Sequence, residues 1–213
     1  MILTFHGVGE PPPDVRASER PFWVGADVLA STLDEVARRA DVSVTFDDGL
    51  RSDVEIALPA LHERGMSARF FILGGHVDEP GYVTSADVRA LAEAGMTIGS
   101  HGVHHEPWTS LAPDELRQQL VRSRSVLEDL SGRAVDEASC PFGMYDRTVL
   151  RELRRVGFAR VYTSDGGPAN PAAWLQPRNT VKVGSDPAAI IDDRVSVRTR
   201  TVRRAKRIVK RLR

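Results

Sequence analysis

The chain has 213 residues, enough for one catalytic-sized domain and a short appendage at ~150 residues per domain. Apolar residues make up 41% and charged residues 27%, which excludes a mainly disordered or collagen-like chain. No stretch approaches ~18 uninterrupted apolar residues, so no membrane-spanning helix is expected. Lys and Arg total 29, and so do Asp and Glu, but the balance is uneven. Ten basic and no acidic residues fall between Arg194 and Arg213, which leaves 19 basic against 29 acidic residues before them.

In chain order, residues 2–5 form a short apolar run, and residues 7–21 are a long Gly/Pro-rich loop of the kind that often carries function. Residues 25–40 read as a helix with Leu29, Leu33, Val36 and Ala37 on one side. A strand is expected at 42–46, a helix at 52–64 closed by Gly65, and a strand at 68–73. Next come a helix at 85–94, a strand at 96–99, a long helix at 113–130 and a weak strand at 135–139. A helix at 146–156 closed by Gly157, a strand at 158–163 and a last strand within 174–183 complete the body. About seven strands separated by helices predict βαβ units and a parallel sheet. Periodicity alone does not choose between an open doubly wound sheet and a barrel. In either, reactive groups belong at the C-terminal ends of the strands. From Thr199 onward, Val202, Ala205, Ile208, Val209 and Leu212 recur at helical spacing among Arg and Lys, the pattern of a basic amphipathic helix. The expected domains are therefore a body, residues 1–190, and a basic tail, residues 191–213.

Three polar clusters follow expected strands. Thr45-Phe46-Asp47-Asp48-Gly49 sets two carboxylates before a glycine turn that can bring both toward one pocket. Taken alone, a solvated turn with an Asp cap explains it as well. In Ser100-His101-Gly102-Val103-His104-His105, a helical segment would put His101 and His105 on one face, able to grip one metal. Together, one Asp and two His make a three-ligand site with open positions, suited to a water-activating ion such as zinc. The other Asp is then free to act as general base. The third cluster is Cys140-Pro141-Phe142-Gly143-Met144-Tyr145-Asp146.

The first two clusters resemble the opening motifs of the polysaccharide deacetylase family, also called the NodB-homology or carbohydrate esterase family four. The third is similar to that family's Pro-aromatic-Gly motif, and Ala68-Arg69-Phe70-Phe71-Ile72 resembles its strand-three segment, with Arg69 where Thr is common. The resemblance spans residues 1–183. It implies a distorted (β/α) barrel, usually of seven parallel strands, and removal of acetyl groups from sugars. It assigns Asp48, His101 and His105 to a divalent metal, with zinc first and cobalt, manganese, iron or nickel as alternatives. It makes Asp47 the catalytic base. Pro141, Phe142 and Gly143 would wall the groove, and nearby backbone N–H groups would stabilise the oxyanion.

Two departures stand out. The third motif has no Arg between residues 134 and 146 to orient the base, and no His follows His105 to protonate the leaving amine. His6, at the end of the first strand, is the leading replacement donor, with His104 and metal-bound water behind it. Arg178 reads first as a surface salt-bridging residue and second as a stand-in for the orienting Arg. Trp174 reads as a sugar-stacking residue or a core tryptophan. Asp165 reads as a plain turn, His62 as a solvated residue, His76 as a rim residue, and the single cysteine, Cys140, as a buried filler.

The function expected is metal-dependent hydrolysis of the acetyl group of an N-acetylated sugar, in a polysaccharide or a glycan precursor. The alternatives are a sugar-binding pseudoenzyme and a hydrolase of another non-peptide C–N bond. The N-terminus lacks a basic start and a long apolar run, and the one cysteine cannot form an internal disulfide. A cytoplasmic enzyme is expected, peripheral at the inner membrane face through its basic tail. Nucleic acid ranks below an anionic membrane as the tail's partner, because no aromatic residues are interleaved there.

Overall fold

The computed structural model describes residues 1–192 and 210. Among these residues, eight strands are all parallel to their neighbours: Ile2–Phe5 (β1), Ser43–Asp48 (β2), Arg69–Ile72 (β3), Thr97–Ser100 (β4), Glu137–Ser139 (β5), Arg160–Thr163 (β6), Leu175–Pro177 (β7) and Asn179–Thr180 (β8). The sheet runs β7-β6-β5-β4-β3-β2-β1-β8. β7 and β8 are two halves of one stretch, interrupted at Arg178. The first half pairs with β6 and the second with β1. The chain therefore closes a nearly complete barrel with a shared seventh stave, which answers the question that periodicity left open. The barrel is distorted where β4 meets β5, which are joined through a single pair, Ser100 and Ala138.

The strands are buried throughout most of their length, as expected where helices cover the outside of a parallel sheet. Helices Ala26–Ala37 (α1), Leu58–His62 (α2), Ser85–Glu93 (α3), Pro113–Ser131 (α4), Arg147–Val156 (α5) and Pro187–Asp192 (α6) supply that layer. Their ends follow local chemistry. Thr84 and Asp87 form a reciprocal capping box on α3. Asp146 accepts from Val149 N–H at the start of α5, and Gly157 ends that helix in the left-handed region. Phe5, Phe46 and Phe70 form one stack across β1, β2 and β3, with ring centres 5.5 and 4.8 Å apart.

Two expected elements differ in form. The helix expected at 52–64 begins as a π-helical turn, Asp53–Ala57, before α2. Pro59 has no N–H for the carbonyl of Glu55, and Leu58 N–H bonds to Asp53 O instead. The segment carrying His101 and His105 is a bend, not a helix, with Gly102 at φ +91°. The expected tail lies outside the described residues beyond Asp192, apart from Lys210.

Candidate metal centre and its cleft

Asp47 and Asp48 end β2, and Ser100 ends β4, so the strand C-termini deliver both clusters to the same mouth of the barrel. Asp48 takes φ +79°, costly for a residue with a side chain, and Gly49 follows at +71°. A Cβ on Gly49 would come within 2.8 Å of Ile72 Cγ2. This turn lets two consecutive carboxylates reach one pocket.

One nitrogen each of His101 and His105 and one oxygen of Asp48 lie within 4.8 Å of one another. Nε2 of His101 is 3.4 Å from Asp48 Oδ1, and Nε2 of His105 is 3.6 Å from it. His101 Nδ1 lies 2.9 Å from the carbonyl of Ser139. A carbonyl can only accept, so Nδ1 carries the hydrogen and Nε2 is left as a lone-pair donor toward Asp48. Asp48 Oδ1 is buried with no hydrogen-bond partner among the described residues. Such an acceptor costs about 1–3 kcal/mol unless something else satisfies it. Two imidazole nitrogens and a carboxylate oxygen facing one point fit a divalent cation. Burial pushes Asp48 up to about 6 and His101 down to about 3. His105 is also lowered, chiefly by burial. Both rings are therefore neutral, the form in which imidazole binds metal.

Asp47 is treated differently. Burial alone would raise its proton affinity, but the charge and the hydrogen bonds of Arg178 hold its carboxyl well below the usual range. Arg178 donates to both carboxylate oxygens at 2.6 Å, and to Thr45 Oγ1 at 3.1 Å and Ser139 Oγ at 2.7 Å. The sequence reading favoured a surface salt bridge for Arg178. Instead its side chain is wholly buried, because it occupies the break between β7 and β8. It is the partner of Asp47, 131 residues away in the chain.

A cleft of about 450 Å³ opens over Asp48 and His105. His6 lines it from the end of β1, with its ring 5.1 Å from Phe22 and Nδ1 unpartnered among the described residues. Phe142 lines it from the turn after β5, at φ +57°, and stacks on His105 with ring centres 4.2 Å apart. Pro141 is buried, and Gly143 packs on Ser164. The N–H groups of Gly143 and Met144 bond to Cys140 O and Pro141 O, so those two are spent within the turn. His76 is paired with Glu79 and stacked on Tyr82, and His104 meets His76 edge-on.

Trp174 is not brought to the cleft. It precedes β7, at the opposite mouth from the strand C-termini, where its indole N–H donates to Phe158 O and Arg154 lies 4.1 Å over its ring. Sequence reasoning also missed cleft residues. Glu19, Phe22, Trp23, Tyr82, Thr180 and Lys182 line it. The charge of Glu19 raises the proton affinity of Asp48 and His105. The only advance signal for Glu19 was its place in the long N-terminal loop.

Fold and site together define a parallel barrel bearing a carboxylate–imidazole cluster that could hold a metal, beside an ion-paired second carboxylate. The sequence pattern of the polysaccharide deacetylase family matches residues 34–161, and the chain belongs to that family. It is 31% identical over 134 residues to a peptidoglycan-N-acetylglucosamine deacetylase of Bacillus cereus, covering 61% of this chain and 46% of that protein. It is 24% identical over 158 residues to a chitooligosaccharide deacetylase of Rhizobium leguminosarum bv. trifolii, covering 71% of this chain and 69% of that one. The structure of the Streptococcus pyogenes deacetylase PplD in complex with acetate shares the fold, with a TM-score of 0.77 and 19% identity over 89% of this chain and 95% of that one. The chain spans about half the length of the first curated relatives it matches, 56% and 46%.

Proposed function

We propose that this chain is a metal-dependent hydrolase that removes the acetyl group from an N-acetylated sugar within a glycan. The observation that carries the reading is the convergence of Asp48 and His105, which line the cleft, with His101 and Asp47 buried next to them. The family and the relatives named above support the substrate class.

Asp48, His101 and His105 would hold a divalent cation, zinc being the first choice for this donor set. Bound there, it would polarise the acyl oxygen and ease deprotonation of water. Asp47 would take the proton of the attacking water. Its pairing with Arg178 keeps it ionised and aimed, at a cost in basicity. The new bond joins water oxygen to the acyl carbon, and the bond from that carbon to nitrogen breaks. His6 would give its proton to the departing amine, leaving acetate and a free amino sugar. Phe142, stacked on His105, would form one wall against the substrate.

The pseudoenzyme alternative rested partly on the absent orienting Arg, a role for which Arg178 is now in position. The same proposal gives the basic tail a peripheral role at an anionic membrane. The test is acetate release from a panel of N-acetylated oligosaccharides by zinc- or cobalt-loaded protein, alongside Asp47→Asn and His101→Ala. Release by the parent that disappears in both variants is the expected result. One bound metal with no release across the panel would overturn the deacetylase reading in favour of a binding protein or another C–N bond.

A further inference from the structure

Two turns shape the cleft beside Phe142, one after β5 (residues 141–145) and one at the end of β6 (residues 163–166). They are packed without slack. Gly143 has φ +62°, and a Cβ there would lie 2.7 Å from Ser164 Cβ and 2.9 Å from its N. Tyr145 OH in the first turn donates to Asp165 Oδ2 in the second at 2.7 Å, and Thr163 Oγ1 donates to the same oxygen at 3.0 Å. The Asp165 side chain is only 5% exposed. Both hydroxyl donors meet Oδ2, and a cation at the other oxygen stabilises a carboxylate this buried.

A cation meets it from far along the chain. Lys210 Nζ lies 2.7 Å from Asp165 Oδ1 and donates to the carbonyl of Gly143 at 3.0 Å. The same ammonium stands 4.9 Å from the centre of the Tyr145 ring, within reach of a cation–π contact. One side chain thus bonds to both turns and packs on the ring between them. Gly143 directly follows Phe142, and Ser164 directly precedes Asp165. Phe142 and Ser164 both line the cleft, and Phe142 stacks on His105. Phe142 itself is half exposed and in a left-handed conformation, so little but its neighbours fixes where it stands.

We propose that Lys210 is a positioning residue: it clamps the two turns together and thereby sets where Phe142 stands over His105 at the wall of the cleft. This deepens the function proposed above, because it makes one residue of the basic C-terminal segment part of the substrate site. The segment's high positive charge alone does not account for the geometry. A lysine held by charge alone needs no carbonyl partner, and this one is shared between a carbonyl and a nearly buried carboxylate.

The test uses the full chain as wild type, Lys210→Met, Lys210→Arg and Asp165→Asn. Amide hydrogen exchange is followed at residues 142–144 and 164–166, with thermal melts to verify that each variant is folded. Lys210→Met should speed exchange at Gly143 and Met144 at least fivefold, and Lys210→Arg should restore it to within twofold. Asp165→Asn, which removes the pair from the other side, should match Lys210→Met. In the acetate-release assay, Lys210→Met should raise KM at least fivefold while kcat changes less than threefold. Unchanged exchange overturns the clamp whatever the assay gives. Faster exchange with unchanged KM overturns its positioning role. A wild type that releases no acetate sinks the proposed function instead, and the exchange result still judges the clamp.

Discussion

The two mouths of the barrel carry similar charged side chains and treat them in opposite ways. Where the strands begin, Glu137 is surrounded by partners: Arg69 Nε at 2.8 Å, Tyr162 OH at 3.0 Å and Arg160 at 3.7 Å. Arg160 also donates to Pro171 O. Where the strands end, Arg178 pairs with both oxygens of Asp47, but Asp48 Oδ1, His6 Nδ1 and Arg178 Nε are buried without hydrogen-bond partners among the described residues. Unpaired buried polar atoms are expensive, and those of Asp48 and His6 belong to residues that line the cleft, where a ligand can meet them. In a parallel barrel that place is the C-terminal mouth, while the N-terminal mouth serves stability. Position along a strand decides the fate of a charge here. Arg69, Glu137 and Arg160 are each the first residue of their strand, whereas Asp48 is the last of its own.

Substitutions at each end sharpen the contrast. The largest effect is expected for Asp47→Asn, which should lower kcat by about 10²–10⁴ if Asp47 is the base. Equal rates for variant and parent in acetate release would remove Asp47 from the chemistry. Next is Arg178→Met, which strands Asp47 as an uncompensated buried charge and should destabilise the fold by about 3–5 kcal/mol. Denaturant unfolding measures it, and a loss below about 1 kcal/mol would mean that the pair matters little to stability. At the other mouth, Glu137→Gln should cost about 1.5–3 kcal/mol of stability while kcat/KM stays within twofold. A large kinetic loss there would erase the division between the two ends.

The smallest effect concerns pH. In the metal-free protein Asp48 is raised to about 6 and His101 is lowered to about 3, each chiefly by burial. Protons therefore compete with metal at Asp48 before they compete at His101. Affinity for zinc, measured by titration calorimetry, should be nearly flat above about pH 7 and fall about tenfold between pH 7 and pH 5. In stability the two shifts oppose each other. The lowered His101 costs the metal-free protein stability as pH falls below 6.5, where the unfolded chain binds the proton first. The raised Asp48 gives some of it back between about 6 and 3.8, since there the folded chain binds the proton first. His105, also lowered, adds to the loss, and buried Asp53, held well above the usual carboxylate range, adds to the gain, so Asp53→Asn should make the metal-free protein lose more stability between pH 7 and pH 5 than the parent does.

The sequence by itself determined the alternation of strands and helices and pointed to the residues of the candidate metal site. Both are local properties. Apolar periodicity reports which face of an element is buried, and Asp47-Asp48-Gly49 and His101 to His105 each lie within one turn at a strand end. The tertiary structure decided whatever depends on closing the sheet. It placed Arg178 in the break between β7 and β8, against a carboxylate 131 residues earlier. It sent Trp174 to the far mouth, because that residue lies before its strand and the site lies after the strands. It drew Glu19, Tyr82 and Lys182 from three separate loops to one cleft, and it joined Lys210 to Asp165. Such pairings leave no periodic trace in a sequence. They exist only once the strands are in register around the barrel, since the register alone sets which strand ends, and which loops, share a mouth.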